Sequence, residues 1–184
     1  MPTPDLSFVP GYSTTWPAFA PSTWSVEYVA QAVADYLSAA AVPGLVSVFA
    51  AQPRGWEDNA ANFRTGTTAF GASAFVVPHM EKQGKLYSGN GTPERTITHS
   101  IYLAGLFRAT LNEPENAVTL ERRVEDGIKD AIRKDPTLGG RVFQAGIAQL
   151  EARRDPPQPT SGPVGSDIRF LVEFEVTVFA PPGA

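Results

Sequence analysis

From residue 167 to residue 179 the chain reads DIRFLVEFEVTVF. Ile168, Phe170, Val172, Phe174, Val176 and Val178 share one parity, and Arg169, Leu171, Glu173, Glu175, Thr177 and Phe179 share the other. A period of two predicts a β-strand with one apolar and one mixed face. At ~3.3 Å per residue it would run roughly 40 Å, about twice an ordinary strand. Such a strand outreaches a small core, so its surplus is expected to project or to pair outside the chain. A second strand is predicted just before it, over residues 141–151. The same alternation predicts a strand over residues 95–107, with Ile97, His99, Ile101 and Leu103 on one face and Thr96, Thr98, Ser100 and Tyr102 on the other. Shorter apolar runs predict strands over residues 45–51 and 72–77.

Two segments carry the helical spacing instead. Over residues 24–41, Val26, Val29, Ala30, Val33, Leu37 and Ala40 form one apolar face. Ser22, Thr23 and Ser25 are candidate N-caps, and Pro43-Gly44 stops the helix. The second helix opens at Asn112-Glu113-Pro114-Glu115, a capping-box arrangement, and ends at Asp135-Pro136. Its expected apolar stripe is Ala117, Leu120, Val124, Ile128, Ala131 and Ile132. Arg122, Arg123, Glu125, Asp126, Lys129 and Asp130 are expected to face water. Thr137-Leu138-Gly139-Gly140 then makes a sharp link into the strand from residue 141.

Between these elements, residues 52–71 and 81–93 read as loops. The first is long for a compact domain, and Trp56, Phe63 and Phe70 suggest that it orders against something. Residues 152–166 hold several prolines and glycines, too many residues for a tight turn, and are expected to form an extended tongue. The order arm–α–β–β–β–α–β–β has no βαβ rhythm. It predicts an α+β domain over residues 24–180: a mainly antiparallel sheet with two helices packed on one face, and a long C-terminal β-hairpin carrying the tongue. Residues 181–184 form a short tail. Residues 1–23 hold five prolines among Phe8, Tyr12, Trp16 and Phe19. They read either as a loose terminus or as an extended arm whose aromatics dock on this subunit or a neighbour.

Composition narrows the function. The 184 residues are 42% hydrophobic and 18% charged, enough for a core. A net charge of −4 argues against a dedicated nucleic-acid binder. Cysteine is absent, which excludes disulfides and thiolate metal sites. No apolar run reaches membrane-span length, and the first residues lack the pattern of a secretory leader, so a soluble protein that stays where it is made is expected. His79 and His99 would need partners such as Glu81 or Asp58 to hold a metal, and no spacing demands it. Glu173 and Glu175 are neighbours on one strand face and could in principle do acid–base work, yet they read better as a solvated or subunit-facing pair. No phosphate loop, dinucleotide fingerprint or nucleophile elbow occurs. Arg153-Arg154 beside Asp155 reads as a surface pair or as a contact to an acidic partner. The oversized strand, tongue, arm and long loop all reach beyond the core, as the subunit of a ring or tube would require.

Helix 2 followed by KDPTLGGRVFQAGI, then a spacer and FLVEFEVTVF, resembles the tail terminator (minor tail) proteins of long-tailed bacteriophages. The early helix leading to VPGLVSVFAA and the strand RTITHSIYLAGLF fit the same layout, so the likeness covers residues 24 to 180; the arm is not part of it. The resemblance implies a virion protein, made in the host cytoplasm, that forms a hexameric ring on the finished tail tube. It would end tube polymerisation and present a surface for head–tail joining. Its partners would be its own copies, the tail tube protein and the head-completion or connector proteins, with DNA only as cargo through the lumen and no membrane. No reaction, cofactor or metal is implied. Trp16, Phe19, Trp56, Phe63, Arg153, Arg154, Arg169, Glu173 and Glu175 are the candidate subunit or partner contacts. The alternatives are another neck, head–tail connector or tail-completion subunit, and a small α+β enzyme or ligand-binding domain using Glu173, Glu175 and His99.

Overall fold

The computed structural model describes residues 22–65, 69–87, 94–108, 114–154, 158–159 and 166–180. Helix α1 (Val26–Ala39) starts at Ser25, whose hydroxyl accepts from the Tyr28 N–H at 3.2 Å. Of the three cap candidates, it is therefore Ser25 that caps. The chain continues through β1 (Leu45–Phe49), a 3-10 turn (Ala60–Phe63), β2 (Arg64–Thr65), β3 (Ala69–Phe70), β4 (Ala72–Tyr87) and β5 (Glu94–Arg108). Helix α2 (Pro114–Lys134), β6 (Gln144–Arg154), β7 (Gln158–Pro159) and β8 (Ser166–Ala180) follow. The proposed Asn112 cap lies outside the described residues. So do most of residues 1–23, including Trp16 and Phe19, most of the tongue between β6 and β8, and the tail at residues 181–184.

The main sheet runs β1-β4-β5-β8-β6, with β7 added against one end of β8, while β2 and β3 form a separate two-residue pair. β4, β5, β8 and β6 are antiparallel neighbours, but β1 pairs with β4 in parallel. The sheet is thus mixed. A parallel pair needs a crossover of a dozen or more residues, and the segment from β1 to β4 supplies it.

β4 corrects the sequence expectation most. It runs to Tyr87, so the first part of the expected loop at residues 81–93 is strand. The period of two is interrupted at a bulge, where Pro78 pairs with Ile101 and Met80 with Ser100. Past it the parity is reversed, and polar residues occupy both faces. Pro78 lies beyond the last β1 pairing, Phe49 with Phe75, so its missing N–H costs no ladder bond to β1. β6 starts and ends three residues later than expected, and a bulge between Ala145 and Leu150 breaks its register.

The strand registers sort the sheet into two faces. On one, Ala72, Ala74 and Val76 line up with Leu103 and Phe107 of β5, and these with Val172 and Ile168 of β8. Ile97, Ile101, Phe170, Phe174, Val176 and Val178 extend that face. All are buried, and they form one cluster with Val29, Val33 and Leu37 of α1 and Val124, Ile128 and Ile132 of α2. Burying each of the valine, leucine, isoleucine and phenylalanine side chains is worth about 1.5–3 kcal/mol. The stripe of α2 is rotated from the expected one. Leu120 is exposed, and Glu121 and Glu125 are buried beside Val124 and Ile128. Glu125, expected on the wet face, sits one turn from Glu121 at the inner edge of the stripe.

The turn after α2 is built on Asp135. Its carboxylate accepts from the Thr137 hydroxyl at 2.6 Å, the Thr137 N–H at 3.0 Å and the Gly139 N–H at 2.8 Å. These bonds, the Thr137 hydroxyl first, hold the Asp135 carboxyl below the usual carboxylate range. Leu138, Gly139 and Gly140 all have positive φ (50°, 74° and 78°), so two glycines in succession are what the backbone needs. Leu138 takes the strained position and is repaid by burial in the core. The next residue, Arg141, pairs with Asp35 of α1. The Tyr28 hydroxyl donates to the Arg141 carbonyl at 3.2 Å, fastening the turn to the first helix.

Candidate interaction surface

Among the described residues no α-helix packs on the other face of the sheet. At one end it is roofed by the segment after β1. Trp56 and Phe63 pack with Leu106, Phe49 and Phe75 in a second apolar cluster. The Trp56 indole N–H donates to the Ser73 hydroxyl at 2.7 Å, and that hydroxyl lies 2.7 Å from the Ser47 hydroxyl. Asn62 ties the segment back on itself by donating to the Trp56 carbonyl at 3.0 Å. Trp56 and Phe63, expected as partner contacts, are buried in the chain's own packing.

Arg108 locks the roof to the sheet. It makes a two-pronged pair with Asp167, with both nitrogen–oxygen distances at 3.1 Å. It also donates to the Glu57 carbonyl at 3.1 Å and lies 4.5 Å from the Phe63 ring centre. Fork-to-fork pairing of this kind fixes orientation as well as charge. Arg108 follows the strand expected over residues 95–107, Asp167 opens the one expected over 167–179, and neither had an assigned role. The opposite charges at those strand ends were visible, but the pairing of the two strands that brings them together was not part of the expectation.

Between the roof and the sheet lies a cleft of 490 Å³, lined by Trp56, Phe75, Leu106 and Leu171, with Glu57 and Arg169 among its polar walls. Arg169 reaches Glu57 at 3.3 Å, and both side chains are largely exposed. The volume falls in the usual range for a binding pocket.

Away from the roof no described segment covers this face. Glu173 stands opposite Tyr102 on β5 and Glu151 on β6, and Glu175 stands opposite Ser100. Lys82, brought to this face by the bulge, reaches Glu175 at 3.4 Å. At the exposures of these two groups such a pair is worth only tenths of a kcal/mol. The His79 ring packs on Tyr102 with centres 4.8 Å apart. Phe143 and Phe179, both exposed, stack at 4.5 Å. Of the expected contacts, Arg169, Glu173 and Glu175 therefore share one surface, with Trp56 at its covered end. Arg153 and Arg154 stand opposite Leu171 and Phe170 in the β6–β8 register.

His99 points the other way. It is buried on the helix-facing side, where its Nε2 donates to the Trp24 carbonyl at 3.0 Å and its Nδ1 lies 3.8 Å from Glu81. The sheet separates it from His79, Glu173 and Glu175, so these groups do not meet at one site. Among the described residues no three histidine, aspartate or glutamate side chains converge as a metal site would require, and no helix is long and apolar enough to cross a membrane. No known family model matches the chain, and a search of characterised proteins finds none that matches it.

Proposed function

We propose that the chain is a ring-forming structural subunit of a long-tailed phage, placed at the end of the tail tube. There it stops tube growth and offers a surface for head joining. The observation that carries this reading is the helix-free sheet face. β4, β5 and β8 are 16, 15 and 15 residues long, and among the described residues only the segment after β1 roofs that face, at one end. The rest presents Tyr102, Glu173, Glu175, Lys82, Phe143 and Phe179 together. A patch that mixes aromatic anchors with charges suits contact between protein surfaces. In this reading the tongue of residues 152–166 projects from the β6–β8 pair towards a neighbouring subunit or the tube. An acidic chain lining a lumen would let DNA slide, since phosphate affinity rests largely on Lys and Arg.

Light-scattering chromatography of the free protein, repeated with purified tail tubes and followed by negative-stain microscopy, tests the proposal. Rings of about six subunits at tube ends are expected, as closed rotational symmetry predicts. A monomer that ignores tubes at high concentration would overturn it. Binding to portal or head complexes with no effect on tube length would move the subunit to the connector side of the neck.

A further inference from the structure

We infer that the cleft beneath the roof receives the N-terminal arm of a second copy of this chain, with Trp16 as the inserted side chain. The inference takes from the ring reading only the presence of a neighbouring copy. The cleft offers an apolar floor of Phe75, Leu106 and Leu171, closed by Trp56, with Arg169 at its rim. Arg169 has a 62% exposed side chain, and its contacts to the two Glu57 oxygens, at 3.3 and 3.5 Å, are exposed, so it can turn to an incoming carbonyl or carboxylate. Residues 1–21 match this chemistry. They hold Phe8, Tyr12, Trp16 and Phe19 interleaved with five prolines, and their one charged side chain is Asp5. Proline-rich segments with spaced apolar anchors dock in aromatic-lined grooves at low entropic cost, because the extended form is already favoured.

Where the arm joins the domain decides between the chain's own cleft and a neighbour's. The described chain begins at Ser22, and the Trp24 carbonyl is held by His99 on the helix-facing side, midway along β5. The cleft opens on the opposite side, at Ala104 and Leu106 of the same strand. Between Trp16 and Ser22 the backbone spans at most ~20 Å. The route inside one chain passes round the sheet edge and then about 20 Å along the strands, roughly 40 Å in all for layers about 10 Å apart. Trp16 cannot cover that route within its own chain, whereas a subunit alongside can present its cleft directly.

The absence of cysteine makes a direct test simple. Full-length Thr15→Cys protein, which keeps Trp16, is mixed with full-length Leu171→Cys protein under mild oxidation, and disulfide-linked dimers are read on a non-reducing gel. Arg169→Cys serves as a second receptor position, because it is exposed and its substitution leaves the core intact. Ser38→Cys on the exposed side of α1 serves as the control partner. Dimers at Leu171→Cys or Arg169→Cys, at least tenfold above the control, are the expected result. Equal yields with the control would overturn the inference. So would a double variant that closes only within its own chain, or no dimer either in concentrated free protein or on tail tubes. Cross-linking in a protein that never binds tubes would keep arm exchange and remove the capping role. Capping without cross-linking would do the reverse.

Discussion

Replacing Gly105 by alanine tests the packing that holds the two faces apart. Gly105 pairs in register with Phe170, and its backbone torsion is ordinary, so its role is space rather than conformation. A Cβ built there would lie 2.1 Å from Phe170 Cζ and 2.5 Å from both Cε atoms. Ordinary contact starts near 3.4 Å, so the ring would have to retreat by about 1 Å, from a position 3% exposed within the main cluster. Overpacking of this kind costs about 1–3 kcal/mol. The loss of unfolded-chain freedom returns about 0.4–1 kcal/mol. The net expectation is a loss of about 1–2 kcal/mol, read by urea unfolding, or a fall of roughly 2–8 °C in Tm for a chain of this size. Phe170→Leu removes Cζ and both Cε atoms. In that background Gly105→Ala should be neutral or stabilising, giving a coupling of at least ~1 kcal/mol between the two sites. An equal cost in both backgrounds, or none in the parent, would refute the argument that ring contact is what requires glycine here.

Other expectations follow from the same contacts. Arg108→Met removes the paired bonds to Asp167 and the bond to the Glu57 carbonyl, and should cost roughly 1–3 kcal/mol in urea unfolding while loosening the roof, seen as faster proteolysis near residue 57. Asp35 is held below the usual carboxylate range, first by the hydrogen bond from Arg141 and then by that from Gln31. Because the folded pKa is the lower one, its contribution is fully present above the ordinary carboxylate value and is lost as pH falls through the folded value. Asp35→Asn should flatten the acid limb of a Tm–pH curve, and Asp135→Asn should act in the same direction; an unchanged limb in both would contradict the assignment. Deleting residues 155–164 should leave Tm within a few degrees but impair assembly, since β7 contributes only two pairings to β8. A large fall in Tm would show that this segment belongs to the fold.

The parts legible in the sequence were those where one physical signal dominated. β5 and β8 declared both faces because burial on one side forces strict alternation, and Ile97 through Val178 fell where the period placed them. The Leu138–Gly140 turn was visible because positive φ has few residue solutions. Where two signals competed, the reading failed. The second half of β4 is polar on both sides and follows a bulge, so composition spoke for a loop while pairing with β5 made it strand. α2 shows the same conflict. Geometry runs its inner stripe through Glu121, Val124, Glu125, Ile128 and Ile132, yet Glu125 read as water-facing and Glu121 was in neither the expected stripe nor the expected wet face. The parallel pairing of β1 with β4 left no local trace, because its cause is the length of a crossover rather than any residue in either strand.

The two faces also explain why the expected contacts divided as they did. Parity along β8 is the whole reason that Arg169, Glu173 and Glu175 stand together: they are separated by four and two residues, both even steps, on a strand whose other parity is locked into the core. A one-residue slip of β8 would bury all three and expose Phe170, Phe174 and Val176, so the core that fixes the register also fixes the surface. Trp56 and Phe63 had no such constraint, since a loop aromatic carries no parity. Whether it faces a partner or its own sheet depends on what the loop can reach, and Ser73, Leu106 and Arg108 lie within reach. By covering one end of the face they leave a walled cleft beside Arg169 rather than a flat sheet. The loop that was expected to meet a partner itself builds the place where one can be met.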